Sequence, residues 1–182
     1  VGNSSVGGLI GDISGNGTVE QSYATGDVSG AYKVGGLVGN MFPGVVRQSY
    51  AMGSVSGSHT EVGGLVGRSD QRSLIEDAYA SGSVNGGSDA GGLVGRNVSS
   101  IRRTYATGKV QGSSFVGGLV GENYLSSGDI FEANFYDNGD PLTTASMMQS
   151  ATYIEAGWDF VGIWGIEERK SYPKLRWSVD EI

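Results

Sequence analysis

Short apolar runs punctuated by glycine and polar residues fill the first two thirds of the chain, and they return in phase. Gly-Gly-Leu occurs at Gly7-Gly8-Leu9, Gly35-Gly36-Leu37, Gly63-Gly64-Leu65, Gly91-Gly92-Leu93 and Gly117-Gly118-Leu119, in steps of 28, 28, 28 and 26 residues. Between these copies a second phrase reads SYATGDVSG from Ser22, SYAMGSVSG from Ser49, AYASGSVNG from Ala78 and TYATGKVQG from Thr104. A period of this length, built from short β-branched and aromatic runs separated by Gly, predicts one solenoid coil of two or three strands per unit.

Helical repeats fail, because each interior glycine costs a helix about 1 kcal/mol relative to Ala and every unit holds several. A propeller blade needs roughly 40 residues per unit. Parallel coils remain, and stacking them ~4.8 Å apart turns each repeated position into a ladder. Tyr23, Tyr50, Tyr79 and Tyr105 form an aromatic ladder that Phe135 or Tyr136 extends. Ala24, Ala51, Ala80 and Ala106 form a small-residue column, and Val28, Val55, Val84 and Val110 an aliphatic one. Glu20, Arg47, Glu76 and Arg102 occupy one slot, so successive coils place opposite charges side by side, at about 0.2–1 kcal/mol per exposed pair. Gly26, Gly53, Gly82 and Gly108 mark a corner, either with positive φ or with a wall too close for a Cβ. Strand neighbours point to opposite faces, so one of the columns Leu9-Leu37-Leu65-Leu93-Leu119 and Ile10-Val38-Val66-Val94-Val120 is expected to face outward.

The pattern stops after Gly121. The remainder holds all three tryptophans and two of the three prolines, and from Asn123 onward it carries a net charge of −6, from ten acidic and four basic residues. The chain therefore divides into a solenoid, residues 1–121, and a capping segment, residues 122–182, which closes the end of the core. Within the cap, Leu142 to Tyr153 predicts a short helix behind Thr N-cap candidates, and the stretches Trp158 to Ile166 and Tyr172 to Trp177 read as strands. Val1 to Ser5 align with the second half of the segment preceding Gly-Gly-Leu, so the chain reads as cut from a longer array. The expected fold is all-β: a parallel β-solenoid of about five 26–28-residue coils, with a C-terminal cap containing a short helix and strands.

Composition narrows the function. The 33 glycines against 3 prolines fit neither collagen nor a Pro-rich linker, and the absence of Cys leaves no disulfide framework or thiolate metal site. A formal charge of −7 repels phosphate backbones, so nucleic acid is not the expected partner. No apolar run reaches the ~18 residues of a membrane span.

The phrases VGGLVG and SYATGDVSG resemble the GLUG motif, a glycine-leucine-glycine repeat of large bacterial exported proteins, over about Val6 to Gly121. The tail LTTASMMQSATYIEAGWDF, followed by IWGIEERKSYPKLRW, is similar to the closing segment that follows such repeats. The resemblance implies an exported β-structured repeat of the kind found in adhesin-like surface proteins and beside IgA-protease-type zinc metallopeptidases. It does not imply catalysis.

Candidate chemistry is sparse. His59 is the single histidine, so the H-E-x-x-H metallopeptidase signature is missing and nothing marks a Ser-His-Asp triad. Paired acids of a polysaccharide-cleaving solenoid are not evident: the slot of Asp27 holds Ser54, Ser83 and Lys109 in later coils. The row Thr25, Met52, Ser81, Thr107 is too broken for ice binding. Asp137-Asn138-Gly139-Asp140 offers Asp137 and Asp140 as Ca²⁺ ligands, against the plainer reading of an Asn-Gly turn. Trp158, Trp164 and Trp177 suit either a cap core or a glycan-stacking face. No catalytic residue is assigned, and the chain is read as a non-enzyme.

The expected function is a structural and adhesive segment of a secreted or cell-surface bacterial protein, binding a host or matrix protein or a glycan, or packing on neighbouring repeats of its parent chain. Specificity is expected in the segments Asp12 to Thr18, Asn40 to Val45, Arg68 to Leu74, Asn97 to Ser100 and Asn123 to Asp129, which vary while the walls repeat. The alternatives are a module presenting a separate exported enzyme and a subunit that self-associates end to end.

Overall fold

The computed structural model describes residues 2–137 and 141–181. It is a parallel β-solenoid of about five coils, with a non-repeating C-terminal segment packed along one side. Each coil contributes four strand positions. The wall strands are Ile10–Glu20, Val38–Arg47, Val66–Ser69, Val94–Asn97 and Val120–Asn123. The tyrosine strands are Tyr23–Ala24, Tyr50–Ala51, Leu74–Ala80 and Ser100–Ala106, followed by Phe131–Glu132 and Phe135–Tyr136. The valine strands are the start of Val28–Gly35, then Val55–Gly57, Val84–Asn85 and Val110–Gln111. The glycine strands are Gly2–Gly7, the end of Val28–Gly35, Thr60–Gly63, Ser88–Gly91 and Ser114–Gly117.

All pairing between coils is parallel, and equivalent residues face each other: Tyr23, Tyr50, Tyr79, Tyr105 and Phe135 in one column, Val28, Val55, Val84 and Val110 in another. The charged slot runs Glu20, Arg47, Glu76, Arg102 and on to Glu132.

The Leu and Val columns of the Gly-Gly-Leu-Val unit both face inward, against the expectation that one of them points out. Leu37, Leu65 and Leu93 and Val38, Val66 and Val94 are all fully buried. The reason is a corner. Gly-Leu forms a bend and the strand begins only at the following Val, so period-2 alternation does not apply across the pair. The bend aims two successive N–H groups at one carbonyl of the next coil: Leu37 N and Val38 N both donate to Leu65 O, at 2.9 and 3.0 Å. Leu65 N and Val66 N likewise donate to Leu93 O, at 2.8 and 3.0 Å. Such convergent donors are a backbone nest, here filled by the neighbouring coil. A Cβ on Gly64 would lie 2.1 Å from Gly92 O, which explains why no other residue serves at this corner.

Gly53, Gly82 and Gly108 are also excluded from carrying a side chain by contact: a Cβ on each would approach the carbonyl of the preceding coil's equivalent glycine to 2.1, 1.9 and 1.9 Å. The left-handed corners lie elsewhere and are occupied by non-glycine residues. Gln21, Gln48, Asp77, Arg103 and Ala133 share one such position, with φ of 45° to 54°. Ser5, Lys33, Glu61, Asp89 and Phe115 share a second.

The C-terminal segment contains helices Pro141–Met147 and Ser150–Ile154, an antiparallel pair Trp164–Gly165 with Lys174–Leu175, and a 3-10 turn Arg176–Glu181. The single helix expected over Leu142 to Tyr153 is thus two, and the expected strands shrink to two residues each, because this region is shaped by packing aromatic side chains rather than by a backbone ladder.

Candidate functional site

Three surfaces are candidates: the tyrosine flank, the variable segments and the open C-terminal end. On the flank, the tyrosine rings stack nearly parallel, with centroids 5.2 Å apart for Tyr23–Tyr50 and 4.9 Å for both Tyr50–Tyr79 and Tyr79–Tyr105. The C-terminal segment lies across them as a strap. Trp158 packs near Tyr105, Trp164 between Tyr79 and Tyr105, and Trp177 against Tyr50 and Tyr23. The strap therefore runs back over the coils toward the N-terminus. Its polar atoms are tied to the coils: Trp158 Nε1 donates to Ala133 O (3.0 Å), Trp177 Nε1 to Gln48 O (2.9 Å), and Tyr105 OH to Pro173 O (2.6 Å). Burial raises the Tyr79 and Tyr105 hydroxyls well above their usual range.

This packing removes the glycan-stacking reading of the tryptophans. Trp164 is fully buried and Trp158 nearly so, and Trp177 spends its ring on the tyrosine ladder, so no flat row of exposed faces exists.

The variable segments are not equivalent loops. Asp12 to Thr18 and Asn40 to Val45 lie within long wall strands that pair with each other through a bulge, and they bury Ile13 and Met41. Arg68 to Leu74 closes with a turn. It shares a buried polar cluster with the next two segments: Ser69 and Ser99 hydroxyls lie 2.6 Å apart, and Asn97 Nδ2 donates to Ser99 O and Asn123 Oδ1 at 2.8 Å each. The last segment exposes Tyr124 and Leu125, the second exposes Phe42, and the first exposes Asp12, Ser14 and Asn16.

Ion pairs lock neighbouring coils. Arg47 meets Glu20 at 2.9 Å on the exposed surface, and Arg102 meets Glu76 at 2.8 Å. Arg103, from the left-handed corner, reaches both Glu76 (2.9 Å) and Asp77 (2.7 Å), and Trp164 Nε1 donates to the same Asp77 at 3.3 Å. Arg103 is held above its ordinary pKa chiefly by its hydrogen bond to Asp77. A second network, absent from the sequence reading, joins Arg68 to Glu61 (3.1 Å) and Asp70 (2.8 Å), and Arg96 to Glu61 (3.5 Å) and Glu122 (3.4 Å). It spans three coils because Glu61 occupies the second left-handed corner and turns toward the wall strands. Corner geometry alone reveals it.

His59 stacks on Tyr32 with centroids 4.4 Å apart, and its Nδ1 lies 2.9 Å from Ser58 Oγ, with no carboxylate in that arrangement. Of the proposed Ca²⁺ ligands, Asp140 lies outside the described residues. Asp137 Oδ2 accepts hydrogen bonds from Thr144 Oγ1 (2.7 Å) and Tyr172 OH. Burial and that bond raise Tyr172 to about 12. Among the described residues, no group of three or more His, Cys, Asp or Glu side chains is placed to hold a metal ion.

At the C-terminal end the sixth layer is half built. Phe135 and Tyr136 continue the tyrosine and alanine columns, and the Tyr136 ring lies directly over Gly118, where a Cβ would meet it at 2.2 Å. Tyr136 thus covers this part of the core end. Beside it opens a cleft of about 560 Å³, bordered by Lys109, Val110, Gln111, Val116, Tyr136 and Asp137 among others.

Residues 2–29, 58–85 and 86–111 match the GLUG motif. The coils that these three stretches form carry the GLUG motif. The coil between the first two matches follows the same register, with Val38, Tyr50 and Val55 in the shared columns, although its segment NMFPGVV is drawn into the wall. Two curated proteins are similar. A "Putative Gly-rich membrane protein" of Evansella cellulosilytica is 41% identical over 62% of this chain and 11% of its own length. Halomucin of Haloquadratum walsbyi is 43% identical over 50% of this chain and 1% of its own length. The chain thus spans only a small part of either relative. No solved structure matches. Among the described residues no helix is long and apolar enough to cross a membrane.

Proposed function

We propose that the chain is a structural and adhesive GLUG segment of an exported, cell-surface bacterial protein, holding a variable face in fixed geometry. The observation that carries this reading is the shared register of the coils: the inner members of the Leu and Val columns are buried, so the repeats form a stiff support ~25 Å long. Surface location is supported by the names of the two relatives, one a Gly-rich membrane protein and the other a halomucin. The adhesive reading is centred on the last variable segment, where Tyr124 and Leu125 are exposed, with Ile130 and Phe131 exposed just after it. A host or matrix protein or a glycan is the expected partner class. The segment is read as non-catalytic.

A second reading, a module presenting a catalytic domain elsewhere in a longer protein, draws on the small share of each relative that the repeats cover. End-to-end stacking of copies in register is less favoured, because Tyr136 already fills part of the next layer. Arrays of glycans and matrix proteins test the adhesive reading. Retention of one class, lost on Tyr124→Ala with Leu125→Ser, supports it; silence on both arrays reduces the segment to a spacer.

A further inference from the structure

We infer that Arg169-Lys170, in the turn of the strap, is the cutting site of an endoprotease that selects Arg or Lys. The cut makes the residues after it a dissociable peptide and uncovers Tyr50. This site is separate from the variable face and does not depend on the adhesive reading.

A protease takes its substrate as an extended strand, so the cut needs backbone that can leave its fold without unzipping a ladder. Residues 166–173 lie outside every strand and helix, and Glu167, Glu168, Arg169 and Lys170 are all exposed. Few backbone bonds hold this turn: Lys170 N and Ser171 N donate to Glu167 O at 2.9 and 3.1 Å, and Arg169 N donates to Met148 O at 2.7 Å. Arg169 also sits at a φ of 61°, a left-handed conformation that its side chain disfavours. Among the described residues neither cation enters an ion pair, so each is available to a specificity pocket with an acid at its base. The other cations are protected. Lys33, Arg47, Arg68, Arg96, Arg102 and Arg103 lie inside coil strands. Lys109 O accepts from Val84 N at 2.8 Å, and Arg72 stands in a short turn whose buried Ser73 hydroxyl accepts from Gly44 N at 3.2 Å. Lys174 and Arg176 flank the fully buried Leu175, and Arg176 N donates to Ile163 O at 2.9 Å.

The turn divides the strap's contacts into two sets. Ahead of it, Trp158 and Trp164 are tied to the coils through Ala133 O and Asp77. Beyond it, Pro173 O accepts from Tyr105 OH at 2.6 Å, Leu175 pairs with Trp164, and Trp177 covers Tyr50 and Tyr23. The intact turn holds this second set against the flank at the high effective concentration of a short linker. Hydrolysis adds one water across the bond, leaving a carboxylate on Arg169 or Lys170 and an ammonium on the residue that follows. The second set then belongs to a short peptide, which dilution removes. Tyr50, buried in the intact chain, is opened, whereas Tyr79 and Tyr105 stay under Trp164.

The test is limited digestion of the intact chain with trypsin, stopped by an inhibitor and read by mass. The first cut is expected after Arg169 or Lys170, with the β-sheet signal retained. Arg169→Gln with Lys170→Gln should survive at least ~tenfold longer at an unchanged melting temperature, while Arg72→Gln should be cut as fast as the natural chain. Gel filtration of the nicked chain at low concentration should remove the peptide, after which tetranitromethane should nitrate Tyr50. Adding back the synthetic peptide SYPKLRWSVDEI should protect Tyr50 again, and the same peptide with Trp177→Ala should not. A first cut in the coils, or at Lys174 or Arg176, would overturn the assignment of the site. Equal cutting of the double variant would do the same, and an unreactive Tyr50 in the nicked chain would overturn the uncovering.

Discussion

The interior of the coils and the flank under the strap bury apolar surface by opposite means. Inside, each residue packs on copies of itself one coil away, and Gly64 and its equivalents let the backbones close to contact. On the flank, a repeated ladder of tyrosines meets a segment that repeats nothing, and three tryptophans fill the space between. Repetition specifies register, while the strap specifies where along the register it binds. A defect inside the coils should therefore spread through the stack, and a defect in the strap should stay on one side.

The largest expected effect is Gly64→Val. Its Cβ would meet backbone on the next coil, which cannot move without breaking the nest, and a loss of about 4 kcal/mol or more is expected. Chemical denaturation should show this as a collapse of β-sheet signal across the whole molecule. Trp164→Ala is expected to cost about 3–5 kcal/mol yet to leave the parallel sheet intact, with Tyr79 and Tyr105 becoming accessible to a fluorescence quencher. If the sheet signal falls together with that accessibility, the two regions are one cooperative unit and the contrast between them is wrong.

Alkaline pH separates the regions without mutation. Tyr79, Tyr105 and Tyr172 are all raised by burial, with the Asp137 bond adding to Tyr172. Below about pH 10 these hydroxyls are neutral in both folded and unfolded states, and their contribution is fully present. Above it the unfolded chain gives up protons that the folded flank retains, so stability falls as pH rises through the folded values. Stopped-flow absorbance at 295 nm should show their ionisation delayed until the strap leaves.

Smaller effects rank the ion pairs. Arg103→Ala strands a nearly buried Asp77 and should cost about 2 kcal/mol, whereas Arg47→Ala breaks an exposed pair and should cost about 0.2–1 kcal/mol. Thermal melts of the two variants check the order.

The period, the columns and the alternating Glu20-Arg47-Glu76-Arg102 slot were readable from residues alone, because parallel stacking places like upon like. What failed did so at corners. Leu37 and Val38 share a face because a bend separates them, and a two-residue alternation carries no sign of that bend. The left-handed positions went unread because Gln48, Asp77 and Arg103 hold them where glycine is the usual signal. That misreading also hid the Glu61 and Arg103 networks. The strap's aromatic content marked it as a packing element, and its docking along the tyrosines was set by a flank whose outward direction the repeat does not announce.

The central claim is parallel stacking of coils in one register, and the absence of native cysteine allows a direct test. Ser54 and Ser83 hydroxyl oxygens lie 3.2 Å apart on adjacent coils, so the pair Ser54→Cys and Ser83→Cys should oxidise to an intramolecular disulfide in the folded chain. The shifted pair Ser54→Cys and Asn85→Cys, two residues out of step, should remain reduced. Bonding in the shifted pair but not in the matched one would contradict the stacking described here.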